Sequence, residues 1–428
     1  MDAFLFRKKE KYMDFIEELQ WRGLVKDVTD IDGLRERLKQ PATVYCGFDP
    51  TADSLHVGHM QQILLLKRYQ EAGHRVIALC GGATGMIGDP RPTTERSMQS
   101  LDTIRDNVKA LEEQLSRFIN LKDASKGVIL NNYDWLGSLS MLEFLRDYGK
   151  HFNVNYMLAK DTISSRLSTG ISFTEFSYTI LQAMDWLHLY QNEGCEIQIG
   201  GSDQWGNLTS GSELVRKIMG DKHKVYGITS PLINKADGSK FGKSEGENIW
   251  LNTEYTNAYD FYQFWFNTPD SEIVDYLKRL SLRPISEIES LAEAVVNEPH
   301  MRAAQKALAE ELTILVHTQA GLDQALNITQ VLFGGDIKTL SVAEIEMGLK
   351  DAPKYVLESA KNIVDLLVDA KIASSKREAR EFVSNNAIAI NGDKTTDLDF
   401  VLDRSVALGD KLIVIKRGKR NYYIIEIA

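Results

Sequence analysis

The chain has 428 residues, which at about 150 residues per domain predicts two or three folded units and excludes a single small module. Hydrophobic residues make up 43% and charged residues 26% of the chain, so a disordered or collagen-like protein is excluded. The net charge of −10 argues against a protein coated in basic surface for nucleic acid.

Neither the N-terminus nor the cysteines suggest export. Charged residues run through the first 20 positions, and no stretch approaches the ~18 uninterrupted apolar residues of a membrane span. Cys46, Cys80 and Cys195 lie far apart and are predicted to be thiols. We therefore expect a cytoplasmic protein with no membrane partner.

Short β-branched runs alternate with helix patterns in the first part of the chain. They lie at residues 43–48, 75–80, 128–132 and 196–201, and turn residues and a helix pattern follow each one. This alternation predicts an α/β fold with a Rossmann-like parallel sheet. Ligands of such folds bind outside the carboxyl ends of the strands, so the loops after the strands form the predicted site.

The first strand leads into HisValGlyHis, residues 56–59, at the start of a helix pattern. The free N–H groups of a helix N-terminus favour phosphate, and Gly58 lets a ligand approach the backbone. His56 and His59 can donate hydrogen bonds to phosphate oxygens. The same string fits a plain N-cap by Ser54 with two surface histidines, but its place after the first strand favours a phosphate site.

Two glycine-containing loops follow later strands. The loop at 81–89 matches neither the G-x-G-x-x-G nor the P-loop spacing, so dinucleotide and Walker-type sites are excluded, and its glycines also suit tight turns. The loop at 198–207 combines a glycine pair with acceptor side chains that suit the sugar of a nucleotide. Asp203 alone fits a helix N-cap equally well.

The helix pattern at residues 172–187 carries three polar side chains on one face. Tyr178, Gln182 and Asp185 stand at i, i+4 and i+7. Apolar residues occupy the other face, so the three side chains fit either a binding pocket or simple exposure to water.

A segment with two lysines, LysPheGlyLysSer at residues 240–244, follows the last of these patterns. It fits a solvated surface loop. It also fits a reaction in which negative charge grows on departing pyrophosphate, because such catalysis relies on positioning and electrostatic stabilisation.

The last part of the chain differs in pattern and in charge. Residues from about 250 to 345 show helical spacing, and a proline-containing linker precedes a C-terminal module. From residue 361 onward the chain has 12 Lys and Arg against 10 Asp and Glu, a balance of +2, so the first 360 residues carry −12. A capping box at Ser375 and Glu378, a turn at Asn391-Gly392 and a hairpin with a basic tip are predicted there. These basic residues fit either a solvated face or an RNA contact.

The segment from Tyr45 to His59 resembles the first signature of class I aminoacyl-tRNA synthetases, HIGH, and LysPheGlyLysSer resembles their second. The flanking residues are similar to the bacterial tyrosyl enzymes, and the C-terminal module resembles the S4 RNA-binding domain. The resemblance implies a catalytic domain over 1–240, an α-helical tRNA-binding domain over 245–345, a linker over 346–357 and a small α+β S4-like domain over 358–428.

The resemblance also implies an activity. L-Tyrosine and ATP would react to tyrosyl-adenylate and pyrophosphate by in-line attack of the carboxylate on the α-phosphate, and tyrosine would pass to the 3′ end of tRNA(Tyr). Mg²⁺ would accompany ATP, with no tightly bound cofactor and no metal site in the chain. A homodimer is also implied. The carboxylate is already ionised at neutral pH, so no general base is needed.

Residue roles follow from the same resemblance, position by position. The implied L-tyrosine ligands are Tyr45, Asp89, Tyr178, Gln182, Asp185, Gln198 and Gln204. The implied ATP ligands are Cys46, Gly47, Asp49, His56, Gly58, His59, Gly201, Asp203, Lys240 and Lys243. The implied catalytic residues are Thr51, His56, His59, Lys240 and Lys243. The implied RNA contacts are Lys376, Arg377, Arg380, Lys416, Arg417, Lys419 and Arg420.

One departure and two alternatives stay open. The family lysine after Asp89 is absent, and Arg91 or Arg96 is the candidate to supply its charge. A small-molecule nucleotidyltransferase shares the H-x-G-H helix start but does not explain the helical and S4-like parts. A catalytically idle RNA-binding paralogue would be expected to lose its signature His and Lys residues, and this chain keeps them.

Overall fold

The computed structural model describes residues 13–90, 99–164, 166–168, 170–233, 241, 243–244, 247–418 and 421–428. The chain divides into two units, Met1–Thr256 with Phe264–Val316, and Asn257–Gln263 with His317–Ala428. The domain boundaries given above, 1–240, 245–345 and 358–428, stay a prediction.

The first unit is built on a parallel sheet. Its strands are β1 (Thr43–Phe48), β2 (Arg75–Cys80), β3 (Gly127–Asn131), β4 (Cys195–Gly201) and β5 (Tyr226–Ser230), in the order β3-β2-β1-β4-β5. Strands such as β2 are buried on both faces, which explains their continuous apolar runs. The predicted parallel sheet is confirmed, and β5 is an additional strand that the sequence patterns did not predict.

Helices cover the sheet and continue through the middle of the chain. They are α1 (Phe15–Trp21), α2 (Ile31–Arg37), α3 (Met60–Glu71), α4 (Thr84–Ile87), α5 (Leu101–Phe118), α6 (Tyr133–Leu136), α7 (Met141–Glu143), α8 (Val154–Leu158), α9 (Asp161–Ser164), α10 (Phe173–Glu193), α11 (Trp205–Met219), α12 (Ala258–Phe266), α13 (Asp270–Leu280), α14 (Ile285–Asn297), α15 (Ala303–Gly334), α16 (Val342–Gly348), α17 (Ile363–Asp369) and α18 (Lys376–Ser384). The helical stretch predicted over 250–345 corresponds to α12–α16. Non-helical backbone at Thr318 divides α15 into two parts.

Two serine caps show how the sequence sets the helix starts. The Ser172 hydroxyl accepts the Glu175 N–H at 3.2 Å and begins α10, the long helix that carries Tyr178, Gln182 and Asp185. Ser375 caps α18 as predicted, but the Glu378 carboxylate accepts from the Ser374 N–H at 2.6 Å, one residue before the reciprocal bond of a capping box. Of the predicted capping box, therefore, only the N-cap half is present.

The second unit contains a mixed sheet in the order β11-β10-β13-β14-β8. Short strand pairs also occur in the chain, and the remaining strands are β6 (Lys243–Ser244), β7 (Glu247–Asn248), β8 (Lys354–Leu357), β9 (Lys361–Asn362), β10 (Ile388–Ile390), β11 (Asp393–Lys394), β12 (Val401–Leu402), β13 (Leu412–Arg417) and β14 (Asn421–Ile427). The predicted hairpin is the antiparallel pair β13–β14. The predicted Asn391-Gly392 turn joins β10 to β11, with φ angles of 48° and 92° that suit these two residue types.

One apolar core joins helices and sheet in the second unit. Ile328 of α15 and Ile345 of α16 share this core with Leu412, Val414 and Ile424 of the hairpin. Strand β8, which falls in the predicted linker, pairs in parallel with β14. Among the described residues, no helix has the length and apolar character needed to cross a membrane.

Candidate active site

The strand order places a cavity at the carboxyl ends of β1 and β4. In a doubly wound sheet, the crevice between the two central strands, where the order reverses, is where ligands bind. A cavity of about 300 Å³ lies there, lined by residues after β1, β2 and β4 and by one face of α10. The loops predicted to bind ligands therefore converge on one space.

HisValGlyHis forms a short turn, Val57–His59, before α3. The Nδ1 atom of His56 accepts the Gly58 N–H at 3.0 Å, and Nδ1 of His59 accepts the His56 N–H at 3.2 Å. A neutral imidazole that accepts at Nδ1 carries its proton on Nε2, so both rings offer an N–H donor. Burial lowers the pKa of His59 to about 3, which keeps this ring neutral. A Cβ at Gly58 would lie 2.6 Å from the His56 ring, so a larger residue would displace that ring from its hydrogen bond.

Residues 249–251, a few positions after Ser244, are hydrogen-bonded to this histidine turn. The Val57 N–H donates to the Ile249 carbonyl at 3.0 Å, and the Leu251 N–H donates to the Leu55 carbonyl at 2.8 Å. The edge of Trp250 faces the His56 ring with centroids 6.1 Å apart. The chain leaving the LysPheGlyLysSer segment is thus held against the turn that carries the histidines.

At one end of the cavity lies the Asp185 cluster: Tyr45, Asn132, Trp135 and Asp185. The Asp185 carboxylate accepts from Asn132 Nδ2 at 2.9 Å and from Trp135 Nε1 at 2.8 Å. Burial raises the pKa of Asp185 to about 7, although both hydrogen bonds oppose the shift. The hydroxyl of buried Tyr45 has no partner among the described residues. A ligand hydroxyl here would satisfy polar groups that the protein leaves open.

Asp89 forms a second polar cluster with Gln204 and Asn207. Its carboxylate accepts from Gln204 Nε2 at 2.9 Å and Asn207 Nδ2 at 3.4 Å, and Thr179 donates to Asn207 at 2.9 Å. Burial raises the pKa of Asp89 to about 6. No basic side chain pairs with Asp89 among the described residues, so this carboxylate suits a cationic ligand group.

Asp49 connects the two sides of the cavity. It accepts from Thr84 Oγ1 at 2.9 Å and from the Tyr178 hydroxyl at 2.9 Å. Thr84 Oγ1 in turn accepts from Asn132 Nδ2 at 3.0 Å. A continuous hydrogen-bonded path therefore runs from Asp185 through Asn132 and Thr84 to Asp49.

At the opposite end, glycine and acidic groups meet at the end of β4. A Cβ at Gly201 would lie 2.5 Å from the Asp203 carboxylate and 2.9 Å from Leu232, so a larger residue would displace these side chains. Cys46 lines the same space, and burial, with a smaller effect of Asp203, raises the pKa of its thiol to about 12. All three cysteines are free thiols, as predicted, and all three are buried.

The comparisons with known proteins agree with this geometry. A family model described as tRNA synthetases class I (W and Y) matches residues 36–334, and one for the tyrosine–tRNA ligase SYY-like C-terminal domain matches residues 344–425. The tyrosine–tRNA ligase of Geobacillus stearothermophilus is 52% identical over 420 residues, with 97% of this chain and 100% of that protein covered. The chain belongs to the class I tyrosyl-tRNA synthetases. The family predicted from the HisValGlyHis and LysPheGlyLysSer motifs is confirmed.

Two further relatives extend this result for the synthetase. The tyrosine–tRNA ligase of Listeria monocytogenes serotype 4b is 51% identical over 417 residues, with 97% of this chain and 100% of that protein covered. The crystal structure of a C-terminally truncated mitochondrial tyrosyl-tRNA synthetase from Aspergillus nidulans superposes with a TM-score of 0.67 at 33% identity, covering 76% of this chain and 96% of that one. The predicted fold class and enzyme family are both confirmed.

The structure places most of the predicted synthetase site residues together. The predicted residues that line the cavity are Tyr45, Cys46, Gly47, Asp49, Thr51, Gly58, His59, Asp89, Tyr178, Gln182, Asp185, Gln198, Gly201, Asp203 and Gln204. His56 contacts the His59 ring, with centroids 4.1 Å apart. Lys240, Arg91 and Arg96 lie outside the described residues, and Lys243 is described only as part of β6.

The predicted RNA contacts differ in how far they are already engaged. Arg377 and Arg380 are exposed and have no ion pair among the described residues, whereas Lys376 pairs with Asp365 at 2.6 Å. The Arg417 guanidinium stacks over the Phe382 ring at 5.3 Å, and Lys416 lies 4.7 Å from the Tyr422 ring centre. Lys419 and Arg420 lie outside the described residues.

Four polar side chains at the cavity were not predicted from the sequence. Asn132 and Thr84 hold Asp185 and Asp49, and Gln61 and Gln62 line the wall beside β5. Trp135, which donates to Asp185, was also missed. Asn132 directly follows β3 in the structure, at the same sheet edge as the other loops, but the strand predicted at 128–132 included it.

Proposed function

We propose that this cavity activates L-tyrosine with ATP and that tyrosine is then transferred to the 3′ end of tRNA(Tyr). The Asp185 cluster is the observation that carries the proposal. A phenol hydroxyl can accept from Tyr45, whose buried hydroxyl has no described partner, and can donate a third hydrogen bond to Asp185. Phenylalanine would leave the Tyr45 hydroxyl unpaired, so the same geometry accounts for selectivity.

We place the amino group of tyrosine at Asp89, with Tyr178 and Gln182 as neighbours and with Gln198 and Gln204 along the same wall. The half-buried Asp89 carboxylate attracts an ammonium group more strongly than an exposed one, because low polarity strengthens the attraction. Gln182 and Gln198 each have an amide oxygen without a partner among the described residues, so both can accept a ligand hydrogen bond. We refer to these residues and the Asp185 cluster as the tyrosine end.

We assign the nucleotide to His56, Gly58, His59, Gly201 and Asp203, the nucleotide end of the cavity, with Cys46, Gly47, Asp49 and Thr51 beside it. Asp203 suits the ribose hydroxyls as an acceptor. The Nε2–H donors of the two histidines suit the phosphate oxygens. Because His59 is neutral, it acts through a hydrogen bond and not through a full charge.

The proposed chemistry needs no base from the protein. The tyrosine carboxylate attacks the α-phosphorus, a new P–O bond forms, and the bond to the bridging oxygen of the β-phosphate breaks in line, so pyrophosphate leaves with its electron pair. Lys240 and Lys243 are assigned to the charge that grows on pyrophosphate. We expect Mg²⁺ to accompany ATP. Among the described residues no group of three acidic, His or Cys side chains could hold a metal ion, so the phosphates would be its main ligands.

We assign tRNA binding to the predicted helical domain, 245–345, and to the S4-like domain, 358–428. Lys376, Arg377, Arg380, Lys416, Arg417, Lys419 and Arg420 are the proposed RNA contacts. Arg377 and Arg380, which are exposed and have no ion pair within the described part of the chain, support this assignment most directly. They form a local basic patch on a chain whose net charge is −10.

We also propose a cytoplasmic homodimer. Apolar side chains exposed between residues 141 and 173 support a self-contact, with Met141 74%, Leu142 78% and Phe173 67% exposed. Phe173→Glu is expected to shift the particle from dimer to monomer mass in analytical ultracentrifugation. A wild-type protein of monomer mass would contradict the dimer.

The test of the activity is tyrosine-dependent exchange of labelled pyrophosphate into ATP, run beside phenylalanine and tryptophan. We expect exchange with tyrosine alone. If none of the three supports exchange, the proposed function fails. If tryptophan alone does, the assignment of the Asp185 cluster to a phenol is wrong.

The RNA surface is better tested with point variants than by truncation, because removing the hairpin would uncover the core that it shares with α15 and α16. The double variant Arg377→Ala/Arg380→Ala should raise the KM for tRNA in charging and reduce the salt slope by about one per arginine. Exchange should be unchanged. Lys354→Ala, which removes an amine paired with Glu426 at 2.9 Å, is the matched control. An unchanged KM for tRNA in the double variant would remove this surface from the proposal.

A further inference from the structure

Two neighbouring glutamines follow the histidine turn on α3 and line the cavity beside β5. Gln61 is 3% exposed, and its Nε2 and that of Gln62 both point at the hydroxyl of Ser230, at 2.8 and 2.7 Å. Ser230 is paired in register with Gly201 across β4 and β5. Both glutamines therefore lie at the nucleotide end.

The side-chain amide of Gln61 can adopt only one orientation. Its Nε2 donates to the Pro231 carbonyl at 2.8 Å as well as to Ser230. A carbonyl oxygen only accepts, so the nitrogen must face Pro231 and the amide oxygen must face the other way. That oxygen is buried and has no hydrogen-bond partner among the described residues.

Gln62 is less constrained. Its amide oxygen also has no described partner, but its nitrogen is bonded to the Ser230 hydroxyl, which can both donate and accept, so the orientation of the Gln62 amide is not fixed. Gln61 has no such choice, because Pro231 fixes its nitrogen. A buried amide oxygen held in one orientation costs free energy until a donor reaches it, and so it favours a ligand that brings one.

We propose that Gln61 Oε1 accepts a hydrogen bond from the nucleoside of ATP and is a further nucleotide-binding residue. This inference rests on the proposed function, because it requires the Gly201–Asp203 end to hold the nucleotide. The donor is either the exocyclic amine of adenine or a ribose hydroxyl. A purine with a carbonyl in place of the amine would bring an acceptor against an acceptor.

The test compares nucleotides in tyrosine-dependent pyrophosphate exchange. The probes are ATP, purine riboside triphosphate, which lacks the amine, and 2′-deoxy-ATP and 3′-deoxy-ATP, which each lack one hydroxyl. The wild type is expected to use one of the analogues about five- to tenfold less well than ATP in kcat/KM. Gln61→Met should lose that preference, and Gln61→Glu, which keeps an oxygen acceptor, should retain it.

Ratios between nucleotides separate this role from a structural one. Loosening the contact with Pro231 would lower kcat/KM for every nucleotide by the same factor and leave the ratios unchanged. Gln62→Met is the comparison variant, and its ratios should stay closer to the wild-type values than those of Gln61→Met. The analogue whose ratio collapses in Gln61→Met identifies the donor as amine or hydroxyl.

Two results overturn the inference. One is a wild type that uses all the analogues as well as ATP, a measurement that needs no variant to fold. The other is a Gln61→Met protein that keeps every wild-type ratio. If the wild type shows no exchange with tyrosine and ATP, the proposed function itself has failed, and that outcome is distinct from both.

Discussion

The tyrosine end and the nucleotide end of the cavity are built in different ways. At the tyrosine end, Asp185 on α10 is held by Asn132 and Trp135 from the segment after β3, about 50 positions earlier in the chain. At the nucleotide end, each histidine is oriented by a backbone N–H two or three residues away. Selectivity for tyrosine is thus assigned to hydrogen bonds between residues far apart in the chain, whereas binding of the phosphates is assigned to one local turn.

The largest effect is expected from breaking the tyrosine end with Asp185→Asn. The new amide would present one N–H toward donors from Asn132 or Trp135, and it would remove the acceptor for the phenol. Tyrosine kcat/KM in pyrophosphate exchange should fall by about 10³-fold, because several buried hydrogen bonds are lost together. The preference for tyrosine over phenylalanine should shrink as well.

The KM for ATP is the internal control for Asp185→Asn. It should change by less than about threefold, since none of the described hydrogen bonds joins the histidine turn to this carboxylate. An equal rise in the KM for both substrates would show that the two ends are not separate structures, and the comparison would fail.

A smaller effect is expected from a change at the nucleotide end, and it should fall on the maximum rate and not on tyrosine binding. In His59→Asn the shorter amide can still cap the His56 N–H but loses the Nε2–H donor. The maximum rate should fall by about 10²-fold, the scale for one donor to developing charge. The Kd for tyrosine, measured by equilibrium dialysis without ATP, should stay at the wild-type value. A weakened tyrosine affinity would mean that His59 supports both ends.

The ends should also differ in pH dependence. The pKa of Asp89 is about 6 and that of Asp185 is about 7, both raised by burial, so both carboxyls gain protons as the pH falls through this range. A protonated Asp89 no longer attracts the ammonium group, and a protonated Asp185 no longer accepts freely from the phenol. Tyrosine affinity should therefore weaken by about tenfold between pH 8 and pH 6.

Equilibrium dialysis of tyrosine at several pH values measures this change, and Asp89→Asn should lose the component near pH 6. His59 adds nothing in this window, because its pKa is about 3. A flat affinity from pH 8 to pH 6 would show that both carboxyls stay ionised in the folded protein.

The same contrast explains what the sequence could predict. Strand β1 was predicted at its observed bounds, and the N-cap of α18 at Ser375, because β-branched runs and caps act over a few residues. HisValGlyHis could be read as a phosphate site for the same reason. Asn132 and Trp135 were not predicted, because no pattern in the neighbouring sequence indicates that their side chains bind Asp185.

Three other features that the sequence patterns did not indicate have similar causes. Strand β5 is short and its residues, TyrGlyIleThrSer, give no long apolar run, so only its pairing with β4 identifies it. The role of Gln61 depends on the carbonyl of Pro231, 170 positions away. In the second unit, β8 lies within the predicted linker, 346–357. A strand of four residues beside a proline has no clear pattern of its own in the sequence, and it is identified by its pairing with β14.

Thr84 gives the smallest expected effect and the finest test, because it links the two ends. Its hydroxyl accepts from Asn132 and donates to Asp49, so it is the described hydrogen-bond bridge between Asp185 and the residue placed beside the nucleotide. Thr84→Val keeps the shape and removes the bridge. Asn132 and Asp49 each lose one partner, which should lower kcat/KM about fivefold for tyrosine and for ATP alike.

An equal fall in kcat/KM for both substrates distinguishes a Thr84 hydroxyl that links the two ends from one that orients residues at one end alone. If only the tyrosine value falls, Thr84 merely orients Asn132, and the separation of the two ends is complete. If only the ATP value falls, the hydroxyl acts through Asp49 alone. An equal loss of kcat/KM for tyrosine and for ATP would show that the buried Thr84 hydroxyl couples the tyrosine end to the nucleotide end, although the two ends are otherwise held by separate hydrogen bonds.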